Sequence, residues 1–218
     1  MSGARLWICT ALVLCLWTAT AHAGSGEPPA FSVTGLAGWV IHGFMHRPQT
    51  KYQLVDVDGR QVVHAVCRDS AAGLVWKGKV DLAKTPWLHW RWKVARVYPG
   101  LDERRKAGDD FPARVYVVIG SRWLPWSLRT LSYAWANDAQ EPAWWDSPYS
   151  NHARIVPVEH GPQYVGQWRT EARNVRADFK RVFGKDVEDI HAVAVMSDCD
   201  DSHNHGQAWY GDLHFAAH

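Results

Sequence analysis

Apolar and polar residues alternate along much of this chain, and a period of two is typical of β-strands with one buried face. Residues 87–94 show the alternation most clearly. The even positions of this stretch are apolar: Leu88, Trp90, Trp92 and Val94. The odd positions carry mostly polar side chains: Trp87, His89, Arg91 and Lys93. One dry face and one wet face predict an antiparallel sheet packed on a core.

The same criterion predicts strands throughout the chain. The predicted strands are Tyr52–Val57, Gln61–Val66, Leu74–Leu82, Trp87–Val97, Arg114–Gly120, Thr130–Ala136, Ala153–His160, Tyr164–Thr170, Ile190–Asp198 and Ala208–Phe215. Asp58-Gly59 separates the first two runs, and this dipeptide is a strong signal for a two-residue hairpin turn. In the last run the alternation assigns Trp209, Leu213 and Phe215 to the core.

One helix is predicted at about residues 170–183. Thr170 can cap its first turn, and Glu171 is placed favourably at the positive end of the helix dipole. An apolar stripe at helical spacing follows: Val175, Phe179 and Val182. Gly184 is a typical helix terminator.

Many strands, one helix and no strand–helix alternation predict an all-β fold. We expect an antiparallel β-sandwich of jelly-roll type with one peripheral α-helix. Residues 24–34 begin with glycine, serine and proline, and they predict a flexible N-terminus. Residues 35–216 show no internal repeat or linker, so a single domain is predicted there.

The first 23 residues have the pattern of a cleavable secretory signal peptide. Arg5 precedes an apolar run at residues 6–16, and Ala21-His22-Ala23 matches a cleavage site. The run is too short to cross a bilayer, and no later stretch is apolar enough to do so. The sequence therefore predicts a periplasmic or secreted protein, cleaved near Ala23.

Removal of this leader changes the charge and the cysteine count. The leader holds one of the 24 basic residues and none of the 22 acidic ones, so 23 basic and 22 acidic residues remain. A nearly neutral chain argues against a nucleic-acid partner, which would favour a basic face. Only Cys67 and Cys199 remain, and in an oxidising compartment they either pair or stay as two thiols.

Several long motifs resemble a known family. They are the segments Thr85–Trp92, Asp102–Tyr116, Arg129–Trp135, Arg173–Phe179 and Ala208–Asp212. Together they resemble exported bacterial proteins grouped as domain of unknown function 3047, over about residues 35–215. The resemblance implies no established activity. It does imply a fold, because the general shape of the family is similar to galactose-binding-type sandwiches, many of which hold glycans. Cys67 and Cys199 depart from it, so a disulfide would be particular to this protein.

Aromatic and polar side chains supply the candidate binding residues. They are Trp87, His89, Arg114, Trp144, Trp145, Tyr149, Arg173, Asn174 and Asp212. Trp87 lies on the predicted wet face beside His89, and Trp144, Trp145 and Tyr149 lie in a long predicted loop at residues 137–151. Indole rings stack on sugars and donate a hydrogen bond, although loop aromatics also fold back onto a core.

Acidic residues cluster at the ends of predicted strands. They are Asp109 and Asp110 before one strand, and Asp198, Asp200 and Asp201 at the end of another. Three readings stay open. The carboxylates hold a structural calcium ion, Asp109 or Asp110 forms an ion pair with Arg114 or Arg173, or Asp109 or Asp110 works with Asp198 or Asp200 as a glycosidase pair.

A histidine-rich loop lies beside the second acidic cluster. His203 and His205, together with Asp198, Asp200 and Asp201, are weak candidates for a metal site. A solvated polar loop is the alternative. No cofactor other than calcium is predicted.

Three functions compete on this sequence. The first is a non-catalytic binding module for a glycan or other polar ligand of the cell envelope. The second is a carbohydrate-active enzyme that uses paired aspartates. The third is a periplasmic scaffold or interaction protein. The chain contains no nucleophile elbow, phosphate loop or CxxC motif that would favour a hydrolase, a nucleotide-binding protein or a thiol oxidoreductase.

Overall fold

A computed structural model describes residues 24–121, 124–138 and 143–218. The predicted signal peptide at residues 1–23 lies outside the described residues. The strands are β1 (Gly24–Ser25), β2 (Trp39–Gly43), β3 (Lys51–Val57), β4 (Arg60–Arg68), β5 (Ala71–Asp81), β6 (Trp87–Val94), β7 (Arg114–Ser121), β8 (Leu124–Ala136), β9 (Trp145–Ser147), β10 (Ser150–His160), β11 (Arg169–Asn174), β12 (Asp189–Asp198), β13 (His205–Tyr210) and β14 (His214–Ala216). The α-helices are α1 (Phe31–Thr34) and α2 (Val175–Phe183).

The strands form two sheets that pack face to face. The eight-stranded sheet has the order β1-β5-β12-β7-β8-β10-β9, and β2 also pairs with β5. The six-stranded sheet has the order β11-β6-β13-β4-β3, and β14 also pairs with β6. Within the described residues, the pairs β1–β5 and β8–β10 are parallel and the others antiparallel. The predicted all-β sandwich of jelly-roll type is confirmed.

Aromatic side chains fill the space between the sheets. Trp90 of β6 stacks on Tyr133 of β8 at a centroid distance of 5.4 Å, and Trp92 packs on Trp135 at 5.9 Å. All four are buried. Along β6 buried and half-buried residues alternate without exception, as the sequence predicts. Truncating one of these rings to alanine would cost roughly 3–5 kcal/mol.

The hairpin between β3 and β4 turns at Asp58-Gly59. Both residues have positive φ, 54° and 75°, which is the signature of a type I′ turn. The twist of this turn matches that of the strands. The predicted hairpin is confirmed.

Cys67 and Cys199 form a disulfide, which resolves the alternative that the sequence left open. Their Cα atoms are 6.2 Å apart, and both side chains are buried beside Tyr98. The bond joins β4 of the smaller sheet to the end of β12 in the larger one. The cysteines are 132 residues apart. By the loop-entropy argument a closed loop of this length stabilises the fold by about 5 kcal/mol.

Two predictions around residue 170 are wrong. Residues 161–166 form turns instead of a strand, and the strand begins at Arg169. The helix begins at Val175 instead of near Thr170, and Asn174 is its N-cap, since the Asn174 Oδ1 accepts a hydrogen bond from the Ala177 N–H at 2.9 Å. Gly184 ends the helix in the left-handed conformation, as predicted.

The predicted strand Ala208–Phe215 is broken into β13 and β14. Gly211 lies in the break, where its N–H donates to the Arg91 carbonyl at 2.9 Å. The alternation therefore changes phase: Tyr210 is buried, and Trp209 faces outward and is half-buried. The expectation that Trp209 belongs to the core is wrong.

The segment at residues 24–34, predicted to be flexible, packs on the sandwich. β1 pairs with β5, and Phe31 of α1 is fully buried against Trp39 at a centroid distance of 4.7 Å. Burial of the apolar Phe31 ring stabilises the packing of this segment on the sandwich, which its glycine-rich start alone would not do. None of the helices among the described residues has the length and hydropathy needed to cross a bilayer.

Candidate functional site

The outer face of the six-stranded sheet is open to solvent and carries a row of aromatic and basic side chains. Strand register places Trp209 of β13 between His64 of β4 and Lys93 of β6. Trp168 and Arg91 continue the row beyond Lys93. We call His64, Trp209, Lys93, Trp168 and Arg91 the ladder. All five side chains are half-buried.

Rings and cations alternate along the ladder. The His64 ring stacks on Trp209 at 4.8 Å with an interplanar angle of 6°. The Lys93 Nζ lies 4.5 Å from the Trp209 ring centroid and 5.3 Å from that of Trp168. The Arg91 guanidinium carbon lies 4.6 Å from the Trp168 centroid. Each cation–π contact contributes about 0.5–1 kcal/mol at an exposed site, so the row holds its own geometry.

Hydrogen bonds fix the histidine end of the ladder. The His64 Nε2 is 2.8 Å from the Gln207 Oε1, and the His64 Nδ1 is 3.4 Å from the Gln53 Nε2. A neutral imidazole satisfies both contacts: its Nε2–H donates to Gln207, and its Nδ1 accepts from Gln53. The ring is therefore oriented from both sides.

Local backbone features bring Trp168 and Arg91 into the ladder. The Gly166 N–H donates to the Val94 carbonyl at 2.9 Å, which returns the 161–168 turns to the end of β6. A Cβ atom at Gly211 would lie 2.5 Å from the Arg91 Cγ, so the absence of a side chain there leaves room for the arginine stem. Both contacts join β6 to segments that are far from it in the sequence, the 161–168 turns and Gly211.

Sequence reasoning found part of this face. Trp87 and His89 lie on it, and His89 stacks on His214 at 4.9 Å. The ladder residues Trp209, Trp168 and His64 were missed. The alternation in β6 was the available signal, since it assigned Arg91 and Lys93 to the wet side.

The predicted loop aromatics do not join this face. Trp145 is buried in β9 of the larger sheet, where it stacks on Phe111. Trp144 is 37% exposed and lies near Arg154. The Tyr149 hydroxyl donates to the Asp201 carboxylate at 2.6 Å. Their grouping as one binding surface with Trp87 and His89 is wrong, because Trp145 belongs to the eight-stranded sheet and Trp144 and Tyr149 flank its strand β9.

The remaining predicted binding residues hold the fold together. Arg173 pairs with Asp178 at 2.8 Å, and Asn174 caps α2. Asp212 accepts a hydrogen bond from the Ser32 N–H of α1 at 2.9 Å. Arg114 is 4% exposed, so it is not available to a ligand on the surface.

Asp109 and Asp198, one carboxylate from each acidic cluster, form a buried ion-pair network with Arg114. Arg114 lies 3.3 Å from the Asp109 carboxylate and also pairs with Asp198. Burial raises the pKa of Asp109 to about 7, and the attraction of Arg114 opposes that rise. Because Asp109 and Asp198 share one guanidinium and both are buried, they are not placed as an open glycosidase pair.

Asp110, Asp200 and Asp201 tie loops together. Asp110 accepts hydrogen bonds from the backbone N–H groups of Asp201 and Ser202 at 3.2 and 2.6 Å. Arg47 pairs with Asp200 at 3.0 Å and with Asp201 at 3.3 Å. Burial raises the pKa of both Asp200 and Asp201.

Asp110, Asp200 and Asp201 are the described residues best placed to hold a metal. Each offers one oxygen, and these oxygens lie within 4.8 Å of one another. Calcium prefers six to eight oxygens, and both Asp110 oxygens already accept hydrogen bonds. His203 pairs with Asp69, and His205 contacts Arg96, so neither histidine joins the cluster. Calcium binding stays a prediction.

Residues 37–214 match the family described as protein of unknown function (DUF3047). The chain belongs to this family. The motif-based resemblance is thereby confirmed. No curated protein matched this DUF3047 chain.

Several solved structures are similar to this DUF3047 chain. One is a family 30 carbohydrate-binding module from Clostridium thermocellum, with 8% identity, TM-score 0.48, and coverage of 83% of this chain and 91% of that one. Another is the xyloglucanase domain of NopAA from Sinorhizobium fredii, with 10% identity, TM-score 0.44, and coverage of 90% and 99%. A third is a cellulose-induced protein, Cip1, with 10% identity, TM-score 0.43, and coverage of 84% and 92%.

Proposed function

We propose that this DUF3047 protein is a non-catalytic binding module that holds a polysaccharide on the outer face of its six-stranded sheet. The observation that carries the proposal is the solvent-facing ladder. It crosses β4, β13 and β6 as a continuous ridge. A ridge of this kind contacts several units of an extended polymer at once and suits a polymer better than a compact small molecule.

The ladder is organised before any ligand arrives. Its side chains are held by stacking, by cation–π contacts and by the two glutamines. Side chains that are already fixed lose little conformational entropy on binding, and this favours affinity.

The ladder offers hydrogen-bonding groups and ring edges. His64 and Lys93 contact the Trp209 ring, so sugar stacking on a bare indole face is not the mode we propose. Among the described residues, the indole N–H groups of Trp168 and Trp209 have no hydrogen-bond partner. These donors, with Lys93 and Gln207, can bind sugar hydroxyl groups.

The proposal places the protein outside the cytoplasm. The leader pattern at residues 1–23 supports export. The Cys67–Cys199 disulfide supports it as well, since disulfides persist in oxidising compartments. The scaffold and enzyme alternatives both stay predictions.

Affinity electrophoresis tests the proposal. The full gene is expressed with its leader, and the exported protein, expected to begin at Gly24, is run in gels that contain neutral or acidic polysaccharides. We expect at least one polysaccharide to retard the protein. Trp168→Ala and Trp209→Ala should each raise the Kd about tenfold.

Trp144→Ala is the matched control, because Trp144 is a partly exposed tryptophan directly before β9 of the other sheet. It should migrate as the unmodified protein does, and all variants should keep a cooperative thermal transition. The proposal fails if no polysaccharide retards the protein, or if Trp144→Ala weakens binding while the two ladder variants do not.

A further inference from the structure

Four basic side chains on and beside the outer face lack a carboxylate partner, whereas most arginines elsewhere in the described residues have one. The following arginines each have a carboxylate oxygen within 4.0 Å: Arg47, Arg105, Arg114, Arg154, Arg169, Arg173, Arg176 and Arg181. In the part of the chain that the structure describes, Arg68, Arg91, Lys93 and Arg96 have none. These four cations belong to β4, β6 and the residues directly after β6.

The outward-facing positions of the neighbouring strands supply no negative charge either. The outward-facing residues of four neighbouring strands, β4, β6, β13 and β14, include His64, Arg68, Trp87, His89, Arg91, Lys93, His205, Gln207, Trp209 and His214. None of the outward-facing residues of these strands is acidic. The chain as a whole is nearly neutral, so this face concentrates positive charge that other parts of the surface balance.

Ring faces hold the ladder cations without neutralising them. Lys93 lies between the rings of Trp209 and Trp168, and Arg91 lies over Trp168. A carboxylate in place of a ring would hold the same cations but would cancel their charge. The ladder therefore presents positioned, uncompensated charge to solvent.

A cleft of about 530 Å³ extends this face beside the disulfide. Arg68, Arg96 and His205 line it, and Gln207 belongs both to the cleft and to the hydrogen bond with His64. Arg96 donates to the His205 Nε2 at 3.0 Å, which orients the guanidinium. Asp69 is the acidic residue in its lining, and the His203 Nδ1 contacts it at 2.8 Å.

We infer that the ligand is an acidic polysaccharide whose carboxylate groups contact Arg91 and Lys93, with one such group held in the cleft by Arg68 and Arg96. This inference rests on the proposed function and names its ligand class. Guanidinium groups suit the task because their parallel N–H groups match the two oxygens of a carboxylate. The contacts lie at an exposed surface, so binding should weaken as salt rises.

Isothermal titration with charge-matched polysaccharides tests the inference. Two pairs share a backbone and differ in charge: polygalacturonate with its methyl ester, and alginate with its propylene glycol ester. For at least one pair we expect the acid to bind at least about tenfold more tightly than the ester at about 0.05 M salt, with this preference reduced at about 0.3 M.

Variants that remove positive charge test whether Arg68 and Arg96 cause the preference for the acid. Arg68→Gln combined with Arg96→Gln should reduce the preference for the acid about tenfold. Arg176→Gln is the control, since Arg176 is paired with Asp186 and lies on α2, away from the face. It should keep the preference of the unmodified protein.

The outcomes separate the inference from the function on which it rests. The inference that the ligand is acidic is overturned if acid and ester bind equally, or if the double variant keeps the preference for the acid. The proposal of polysaccharide binding is unaffected by either result. Preference for anionic lipid vesicles over every acidic polysaccharide also overturns the inference. Failure of every polysaccharide in both experiments removes the proposed function as well.

Discussion

At the scale of single residues, two glutamates at the sandwich edge share a site that depends on pH. The Trp92 indole N–H donates to the Glu171 Oε1 at 3.2 Å, and the Arg169 Nε donates to the Glu159 Oε1 at 2.6 Å. Burial and, after it, the adjacent Glu159 carboxylate together raise the pKa of Glu171 to about 7. Protonated Glu171 can donate a hydrogen bond to Glu159.

The raised pKa of Glu171 predicts a loss of stability as pH rises. The folded state keeps the proton up to about pH 7, whereas an unfolded glutamate releases it near pH 4.5. The unfolding free energy should therefore fall between these pH values. Glu171→Gln, which stays neutral, should flatten that part of the profile in urea unfolding experiments. Glu188→Gln, at an exposed position, should not. A profile unchanged by Glu171→Gln would contradict this assignment.

Some single residues were predictable from sequence and others were not. Trp90 and Trp92 follow a strict alternation, so their burial could be predicted. Trp209 could not, because its orientation depends on the break at Gly211. That break is set by pairing of both flanking strands with β6, and such pairing leaves no local pattern.

At the scale of elements, the strands of the core were predictable and the edge strand β11 was not. Its inward side chains are Arg169, Glu171 and Arg173, which a period-two pattern would assign to solvent. Glu159 and Asp178 balance these charges from other elements. A strand whose inward side chains are charged and form ion pairs does not show the alternation of apolar and polar residues from which strands are predicted.

The cap of α2 gives the prediction at this scale. Asn174→Ala removes the acceptor for the Ala177 N–H, so the free energy of unfolding should fall by about 1 kcal/mol. Equilibrium urea denaturation measures this difference. Asn174→Asp is the matched control, because aspartate caps helices about as well as asparagine does. Equal losses in both variants would show that the hydrogen bond is not the stabilising contact.

At the scale of the whole molecule, the two outer faces differ in what they leave accessible. On the eight-stranded sheet the outward side chains are largely buried, as with Val75, Tyr116, Ala194 and Met196, and Phe44 packs against this cluster. On the six-stranded sheet most of them remain half-buried or exposed, and Val62 is a buried exception. The sequence predicted the sandwich, but the choice of binding face required the positions of segments far apart in the chain.

The most direct test of the account is nuclear magnetic resonance of the protein from Gly24 onward, with isotope-labelled tryptophan. Each indole N–H gives its own signal, so a titration with polygalacturonate or alginate reports which tryptophans contact the ligand. The account predicts that the signals of Trp168 and Trp209 shift while those of buried Trp90 and Trp135 do not. Shifts confined to Trp144 and Trp145, with Trp168 and Trp209 unchanged at saturation, would contradict it.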